Sequence, residues 1–373
     1  MSWTVIGRGP AGLLAASLLN MHGEECRLVA AHEGTMALWS GVMDRGDPEL
    51  LPLNAEEWQT LWTLLSRLWG SMGIETRFGP ALTLSCTGSL KATFLCPTWQ
   101  YCTPDPGPLW IVAFEGLPDS LQDIHLSAIE AATGHSPFWQ RLPRPPGWDD
   151  SWTAVRWASF IDQTEGKFWL KTLLQDLNPR VPAGWPLLLP QVIGRIRTGE
   201  ILREIGRDLR RPVFEYPLVM PSLGGMRIRD LWQAWLRNRG VPLISGSVTE
   251  YLKHRIHLDD GRSWGADHVL MATGGILGGG IKVLPNGVVE EAITHRALGQ
   301  ITAETGWGPV FRWGSEANGS LSACGRQRSG WDPDRDRNGG AMILATVYQA
   351  LREQGLNILT VPRKGGLMSH AGF

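Results

Sequence analysis

The chain has 373 residues, 43% of them hydrophobic, which is enough for one large or two medium domains with a sizeable core. Its 35 Lys and Arg residues nearly balance its 36 Asp and Glu residues, so overall charge gives no reason to expect binding to nucleic acid or to an anionic membrane. The sequence has no run of about 18 apolar residues, so no transmembrane helix is predicted. Its five cysteines form no C-x-x-C pair, so no metal site is expected.

The first predicted element is a strand over Ser2–Ile6, which runs directly into a glycine-rich turn. A helix is predicted over about Ala11–His22, followed by a second strand, CRLVAA. Strand, glycine turn, helix and strand within about 30 residues are the context in which G-x-G-x-x-G binds a dinucleotide, because the N–H groups and helix dipole favour a pyrophosphate. The candidate cofactor-binding residues of this turn are Gly7, Gly9, Pro10, Ala11 and Gly12.

One expected part of a dinucleotide site is absent from the second strand. An acidic residue that binds the adenosine ribose should close this strand, about 20 residues after the glycines, but that position is Ala30. Glu33 follows in the next loop and is taken as a candidate cofactor-binding residue. Either Glu33 reaches the ribose from the loop, or backbone groups meet the ribose hydroxyls, or the nucleotide is FMN rather than the dinucleotide FAD.

The sequence changes in character between Leu50 and Pro221. A helix is predicted in AEEWQTLWTLLSRLW, strands in SLKATFLCPTWQY and LWIVAFEGL, and further helices in FWLKTLLQDL and TGEILREIGRDLR. Many of the 19 tryptophans lie between Trp58 and Trp185, and we interpret most of them as core or interface residues because indole buries a large area. Residues 51–221 are therefore predicted to be an inserted α+β cap or partner-binding domain.

An α/β pattern returns after Pro221. MRIRDLWQAWLRNRG predicts a helix, VPLISGSVTEYL and RIHLDDG predict short antiparallel strands, and DHVLMATGG predicts a buried strand that ends in glycines. Such a strand end late in the chain is typical of flavoproteins with two dinucleotide-type folds and favours a flavin over a nicotinamide. A third glycine site, ACGRQRSGWDPDRDRNGGA, leads into the N-terminus of a helix, whose dipole would favour a reduced flavin.

These later glycine sites supply further candidates for cofactor binding. Asp332 is expected either to hold the loop over the flavin by accepting N–H bonds or to be a plain turn former before proline. Four arginines crowd the third site, either as a solvated face or as groups that meet phosphates or an acidic partner: Arg326, Arg328, Arg335 and Arg337. The candidate cofactor-binding residues of the two sites are Thr273, Gly274, Gly275, Gly325, Asp332, Pro333, Gly339, Gly340 and Ala341.

Together these patterns predict an α/β fold with an FAD/NAD(P)-binding, Rossmann-like domain of the two-dinucleotide-binding-fold flavoprotein type. That domain is predicted to be discontinuous and to consist of residues 1–50 and 222–373, with residues 51–221 inserted.

The sequence contains no Ser–His–Asp, HExxH or paired-carboxylate motif, but flavin chemistry needs none because the cofactor carries hydride and electron transfer. Arg227 is the candidate catalytic residue, since a guanidinium can fork onto a phosphate or carboxylate of the substrate, or tune the flavin. The alternative for Arg227 is a surface ion pair at the start of a helix. His295, on a predicted helix or its edge in EEAITHRAL, is interpreted as structural.

Several stretches are distinctive enough to compare with known families. They are SGVMD at Ser40–Asp44, a Pro-Ser-x-x-Gly-Met-Arg run at Pro221–Arg227, HVLMATGGILGGGIKVLPNGVVEEAITHRAL, and a Gly-aromatic-Asp-Pro run at Gly330–Pro333. Together they resemble the B-type flavoprotein subunit of anaerobic glycerol-3-phosphate dehydrogenase, in the first 45 residues and from about Pro186 to Gln354. The similarity of SGVMD to the family's Ser-Gly-x-x-Asp implies that Ser40 and Gly41 bind the cofactor.

The resemblance implies a flavoprotein subunit that uses FMN and has the FAD-type fold, so FAD is the expected cofactor and FMN the alternative. It implies two partners, a catalytic flavoprotein subunit and an iron–sulfur subunit that docks to the membrane. The implied reaction oxidises sn-glycerol 3-phosphate and passes electrons to quinone, in the cytoplasm or at the inner face of the cell membrane. The alternatives are a self-sufficient soluble flavoenzyme of the fumarate-reductase-like type and a scaffold subunit that has lost catalysis.

Overall fold

The structure is a computed structural model that describes residues 2–45, 53–117, 122–219, 221–301, 320–329 and 339–359. In chain order its strands are β1 (Ser2–Ile6), β2 (Glu25–Ala30), β3 (Thr76–Leu84), β4 (Leu90–Pro97), β5 (Trp110–Phe114), β6 (Phe138–Leu142), β7 (Leu187–Pro190), β8 (Val213–Tyr216), β9 (Leu243–Ser245), β10 (Val248–Leu252), β11 (Arg255–Leu258), β12 (Ser263–Gly265), β13 (His268–Met271), β14 (Ile281–Val283), β15 (Val288–Glu291), β16 (Ala297–Gln300) and β17 (Leu321–Ala323). Its helices are α1 (Pro10–Met21), α2 (Ala55–Ser71), α3 (Gln122–Thr133), α4 (Ala154–Ile161), α5 (Thr164–Leu177), α6 (Thr198–Leu209), α7 (Leu223–Asn238), α8 (Arg326–Ser329) and α9 (Gly339–Glu353). Over these ranges, no helix is both long enough and apolar enough to cross a membrane.

The chain divides into two compact units. Unit 1 consists of residues 1–36, 44–68 and 229–373, and unit 2 consists of residues 37–43 and 69–228. The sequence pattern predicts boundaries at 50/51 and 221/222. Two of the observed boundaries, 68/69 and 228/229, fall inside helices α2 and α7. The amino-acid composition does not change at either of these boundaries.

The main sheet of unit 1 is parallel throughout, with the strand order β17-β13-β1-β2-β9. The first strand lies at the centre, the next two parallel strands extend the sheet to one side, and the last two extend it to the other. This is the strand order of a Rossmann-type fold. Helix α1 packs against β1, β2 and α9, and α9 packs against β17. The predicted Rossmann-like α/β fold class is confirmed.

Strand β9 corrects an expectation from the sequence. Its segment was predicted to pair in an antiparallel sheet, but β9 pairs in parallel with β2, with Leu28 opposite Leu243, and forms an edge of the main sheet. The antiparallel expectation is right for the following strands, because β10, β11 and β12 form a three-stranded meander. Helix α7 separates β9 from the preceding chain and supplies the crossover that parallel pairing needs.

His295 is a second correction, because no helix forms around it. It lies in the turn between β15 and β16 with left-handed backbone dihedrals (φ 56°). The buried carboxylate of Glu291 accepts hydrogen bonds from the backbone N–H groups of Ile293 (3.0 Å) and Thr294 (2.7 Å). These bonds close a tight turn in place of a helix.

Unit 2 contains the parallel sheet β6-β5-β7-β8 and the antiparallel hairpin β3–β4. Helices α3 to α6 separate the strands of the parallel sheet along the chain, and such crossovers bring each strand back in the same direction. Strands and helices therefore alternate along much of unit 2, whereas the sequence predicts an α+β insertion in this region.

Tryptophan side chains fill much of the core of unit 2. Trp110 and Trp157 are fully buried, and Trp157 stacks on Phe114 with 5.0 Å between ring centroids. Trp169 makes an edge contact with the same Phe114 at 5.9 Å. For Trp110 and Trp157 the interpretation of tryptophan as a core residue is confirmed, since each indole removes a large apolar area from water.

Candidate functional site

The three glycine sites predicted from the sequence meet at one edge of the main sheet of unit 1. Strands β1, β13 and β17 are neighbours, with Ile6 opposite Met271 and Met271 opposite Ala323. Each of these residues ends its strand, so the loops that follow leave the sheet at the same level. In open parallel sheets, ligands bind at this carboxyl edge. Glycines far apart in the sequence are therefore brought together.

Gly7 and Gly12 are glycines because the protein itself leaves no room for a side chain. Gly7 has φ +115°, and a Cβ there would overlap the carbonyl oxygen of Ala272, just beyond strand β13. A Cβ at Gly12 would overlap the carbonyl oxygen of Gly7. The two residues thus permit the tight turn and the close packing of helix α1 against it.

Gly9 differs from both, because nothing in the fold requires a glycine there. Its backbone is extended (φ −78°, ψ −176°), a conformation open to any residue, and a Cβ would have no described protein atom within 4 Å. Gly9 is also the N-cap of α1 and has no side chain with which to cap it. The open space in front of a helix N-terminus fits a phosphate-bearing ligand that approaches the backbone closely.

Glu33 lies beside this turn, which is the position that a residue binding the cofactor ribose would need. The loop that carries it touches the turn, since a Cβ at Gly34 would be 3.1 Å from Gly9 Cα. Glu33 accepts a hydrogen bond from Gln233 Nε2 and lies 3.8 Å from an Nη atom of Arg8. Arg8 is 7% exposed, and its Nε has no hydrogen-bond partner among the described residues. Glu33 of this loop and Arg8 of the glycine turn therefore lie close to each other and, along the chain, next to Gly34 and Gly9.

The second glycine loop is held by a buried glutamine. Gln327, which is fully buried, donates from Nε2 to Thr273 Oγ1 (2.5 Å) and to the carbonyl oxygen of Gly280 (2.8 Å). Gly275 lies under the side chain of Arg326, since a Cβ there would be 2.7 Å from Arg326 Cδ. The candidates Thr273, Gly274 and Gly275 therefore belong to a loop whose shape residues of α8 maintain.

The third glycine site joins the first through Gly325 and helix α9. A Cβ at Gly325 would be 3.3 Å from Ala11 Cβ, and the Gly325 N–H donates to Thr346 Oγ1 of α9 (2.9 Å). At the start of α9, the Gly340 N–H donates to Asp44 Oδ1 (3.0 Å). Gly339, Gly340 and Ala341 form the first turn of α9, and its N-terminus already holds a protein carboxylate.

Some predicted residues fall elsewhere. Arg328 pairs with Glu353 of α9. Asp332, Pro333, Arg335 and Arg337 lie outside the residues that the structure describes.

Ser40 and Gly41 lie in unit 2, where they contact the segment of the Pro-Ser-x-x-Gly-Met-Arg run. The carbonyl oxygen of Ser40 accepts a 3.4 Å hydrogen bond from Gln191 Nε2. A Cβ at Gly41 would be 3.0 Å from Ile228 Cδ1 and 3.5 Å from the carbonyl carbon of Gly224. The close approach of two backbone segments accounts for the glycines at 41 and 224.

Arg227 also lies in unit 2, inside a buried ion pair. Its Nη1 donates to Glu215 Oε2 (2.5 Å), and its Nη2 donates to Glu215 Oε1 (3.1 Å) and to the carbonyl oxygen of Gly194 (2.5 Å). Complete burial raises the pKa of Glu215, and the charge of Arg227 opposes this rise. Both Nη atoms are committed to protein oxygens, so a role for Arg227 in substrate binding, which stays a prediction, requires this pair to open.

Sequence reasoning missed Arg8, Asp44 and Gln327 as site residues. Asp44 ends the Ser-Gly-x-x-Asp run, and Gln327 lies within the third glycine motif. Both residues therefore belong to recognised motifs, but the sequence does not indicate which groups they contact. Arg8 occupies a variable position of G-x-G-x-x-G, where the spacing alone gives no reason to single out a side chain.

Comparison with known proteins gives relatives of one kind. No family model matches the chain. A Vibrio cholerae serotype O1 protein, named as the B-type subunit of anaerobic glycerol-3-phosphate dehydrogenase, is 24% identical over 197 residues, which cover 45% of each chain. The match thus spans about half the length of that relative. A Halobacterium salinarum protein, named as a probable B-type subunit of the same enzyme, is 24% identical over 413 aligned residues, covering 93% of this chain and 96% of that protein.

Solved structures give weaker similarities. L-proline dehydrogenase from P. horikoshii has a TM-score of 0.38 and 11% identity, covering 96% of this chain and 95% of that one. HpxO from Klebsiella pneumoniae, complexed with FAD, has a TM-score of 0.33 and 11% identity, covering 96% of this chain and 82% of that one. The fold assignment rests on the strand order above. The resemblance inferred from the sequence is confirmed: this chain is similar, over almost its whole length, to a protein named as a probable B-type subunit of anaerobic glycerol-3-phosphate dehydrogenase.

Proposed function

We propose that this chain is a flavin-dependent oxidoreductase subunit that binds its cofactor at the carboxyl edge of the unit 1 sheet. The observation that carries this proposal is the convergence of the three glycine loops, with open space at Gly9 in front of the α1 N-terminus. When bound, a flavin accepts hydride or electrons from a substrate and passes them on. The residues of this chain bind and orient it.

Each loop has a distinct part in this proposal. Gly9 leaves the backbone N–H groups of the first turn open to a phosphate group, and the α1 dipole adds a favourable field. The loop from Thr273 to Gly280, held by Gln327, shapes the next side of the site. Gly325 lets the third loop pass close to Ala11. Asp332, Pro333, Gly339, Gly340 and Ala341 remain proposed cofactor-binding residues of that third loop.

FAD is the proposed cofactor, with FMN as the alternative. Glu33 and Arg8 lie beside the turn, where they are able to meet the ribose and phosphate of an adenosine half. An FMN has no adenosine half and would leave these two groups without a ligand. The position of Glu33 thus supports FAD although β2 ends in Ala30.

The names of the relatives support a finer proposal for the reaction. Proteins named as B-type subunits of anaerobic glycerol-3-phosphate dehydrogenase support glycerol 3-phosphate as the substrate that is oxidised. We propose quinone as the electron acceptor. The word subunit in those names supports a complex, which we propose contains a catalytic flavoprotein subunit and an iron–sulfur subunit. In this proposal the chain reaches the inner face of the membrane only through such partners.

The test is to release and weigh the cofactor of the purified full chain and to compare two valine variants. Gly9→Val and Gly70→Val each add a Cβ that, apart from the adjacent backbone, has no described protein atom within 4 Å. We expect wild type and Gly70→Val to retain flavin, with an absorption band at about 450 nm. Gly9→Val should fold but lose it, because the added methyl groups occupy the space of the phosphate.

Other outcomes separate the alternatives. Flavin retained equally by Gly9→Val would contradict the proposed position of the cofactor. A flavin-free chain in a tight complex with its partners would establish the scaffold alternative. Turnover of glycerol 3-phosphate or a small dicarboxylate by the isolated chain, with a dye as acceptor, would establish the self-sufficient enzyme.

A further inference from the structure

Two cysteine side chains lie in one small cluster in unit 2. Cys96 lies near the end of β4, and Cys102 follows after five intervening residues. Cys96 Sγ donates to the carbonyl oxygens of Pro97 (3.5 Å) and Gln100 (3.8 Å). Both residues are buried, at 0% and 5% exposure, and they share a small apolar cluster with Val42. The two side chains are therefore neighbours in the core of unit 2.

The backbone brings the two cysteines together. A turn between them is closed by a hydrogen bond from the Gln100 N–H to the carbonyl oxygen of Pro97 (3.0 Å). Beyond Cys102, Thr103 exchanges two backbone hydrogen bonds with Leu82 of β3, at 2.7 and 2.9 Å. The segment that carries Cys102 is therefore hydrogen-bonded to the same hairpin that carries Cys96. The backbone pairing of the sheet thus keeps the two cysteines close together.

The two thiols differ in chemical character. The pKa of Cys102 is lowered, chiefly by the neighbouring Cys96 thiol and also by the positive charge of Arg77, while burial opposes the shift. Arg77 is opposite Cys96 in the hairpin and donates from Nη1 to the carbonyl oxygen of Cys102 (2.8 Å). Burial raises the pKa of Cys96 well above its usual value. Cys102 borders a cavity in unit 2, whereas Cys96 is fully buried, so Cys102 is the member of the pair that a ligand in the cavity meets first. The direction of its pKa agrees with this role, since the thiolate is the nucleophile in thiol chemistry.

Cys102, unlike Cys96, borders an open space in unit 2. It lines a cavity of about 580 Å³ in unit 2, together with Arg77, Tyr101, Trp185 and Phe214. The cavity is large enough for a small organic molecule. The buried Cys26 and Cys324 differ, because burial raises the pKa of each to about 12.

We propose that Cys96 and Cys102 form a redox-active thiol pair, oxidised by a small organic disulfide that enters this cavity. Cys102 thiolate attacks one sulfur of R–S–S–R, forms a mixed disulfide and releases R–S⁻. Cys96 then loses its proton and attacks Cys102 Sγ, which releases the second R–S⁻. The pair loses two electrons and two protons, and one small disulfide becomes two thiols. This reaction uses no group of unit 1 and does not depend on the proposed flavin.

The test uses the full native chain and 2-hydroxyethyl disulfide as the probe. After incubation, acid quenching and blocking of free thiols, peptide mapping locates every modified cysteine. We expect a peptide that links Cys96 to Cys102, release of both thiols of the probe, and reversal by dithiothreitol. If both cysteines remain free thiols, or if Cys102 ends as a stable mixed disulfide in the wild type, the proposal is wrong.

Single variants separate the two roles. Cys96→Ser should accumulate the mixed disulfide at Cys102, because no thiol resolves it. In Cys102→Ser, Cys96 should stay unmodified in the native chain, because it is fully buried. Cys86→Ser is the matched control and should form the Cys96–Cys102 link as wild type does. Modification of Cys96 in Cys102→Ser would contradict the proposed order of attack.

Discussion

At the level of single residues, one sequence motif contains glycines that serve different physical purposes. Gly7 and Gly12 are required by the protein's own backbone, since a Cβ at either would overlap a carbonyl oxygen. Gly9 is conformationally ordinary and faces open space. The spacing G-x-G-x-x-G predicts all three equally, but only the structure shows which one leaves room for a ligand.

Arg227 and Glu215 provide a test of whether Arg227 is structural. Both are almost fully buried, so Arg227→Met should leave an unpaired carboxylate and lower the free energy of unfolding by about 3–5 kcal/mol. The double variant Arg227→Met with Glu215→Leu should recover much of this loss, because no buried charge remains. Chemical denaturation measures both changes.

A catalytic role would leave a different signature in the same variants. If Arg227→Met keeps its stability but loses turnover, Arg227 acts on the substrate rather than within the ion pair. Equal destabilisation by the single and double variants would contradict the view that the pair is held chiefly by charge compensation.

Among the elements, helix α9 shows how a long-range contact completes a helix terminus. Its first-turn N–H at Gly340 is satisfied by Asp44, which is distant in sequence and lies in the same unit. Helix propensities and capping rules depend only on residues that are close in sequence. They therefore predict the helix but not Asp44 as the acceptor at its first turn. The Asp44 carboxylate interacts favourably with the same helix dipole that the sequence pattern assigns to the flavin.

An ion-pair cluster joins helices α5 and α6, and we expect it to make the stability of the fold depend on pH. Lys171 and Lys167 donate to Glu204 at 2.9 and 3.0 Å and lower its pKa from 4.5 to about 2. A lowered pKa stabilises the fold above about pH 4.5, and this contribution is lost as the pH falls towards 2. Because the groups are partly exposed, the contribution is about 1 kcal/mol or less.

We therefore expect Glu204→Gln to be less stable than wild type at neutral pH and nearly equal to it at about pH 2. Urea denaturation across this range measures the difference. Glu250→Gln, at an exposed position on β10, is the control and should show no such convergence. A constant gap between wild type and Glu204→Gln at every pH would contradict the ion-pair explanation.

For the molecule as a whole, the proposed site exists only because the sheet places β1, β13 and β17 side by side. Residues 7–12, 273–280 and 325–327 have no local relation to one another. Adding FAD to flavin-free chain should therefore slow amide hydrogen exchange in all three segments together. The cavity loop around Thr103 in unit 2 is the internal control and should not change.

The same exchange experiment distinguishes the two flavins. FAD should also protect the loop around Glu33, whereas FMN should leave it unchanged, because FMN has no adenosine half. Protection confined to residues 7–12 would mean that the three loops do not share one ligand.

Local patterns in the sequence sufficed for the Rossmann-like fold class, the glycine turn, most helices and the resemblance to a glycerol-3-phosphate dehydrogenase family. These depend on hydrophobic periodicity and on backbone geometry over a few residues, which neighbouring positions encode. The tertiary structure decided the parallel pairing of β9 and the burial of Arg227 against Glu215. It also decided the contact of Asp44 with α9 and the shared cluster of Cys96 and Cys102. Each depends on which segments pack together and exclude water, and chain spacing does not determine that.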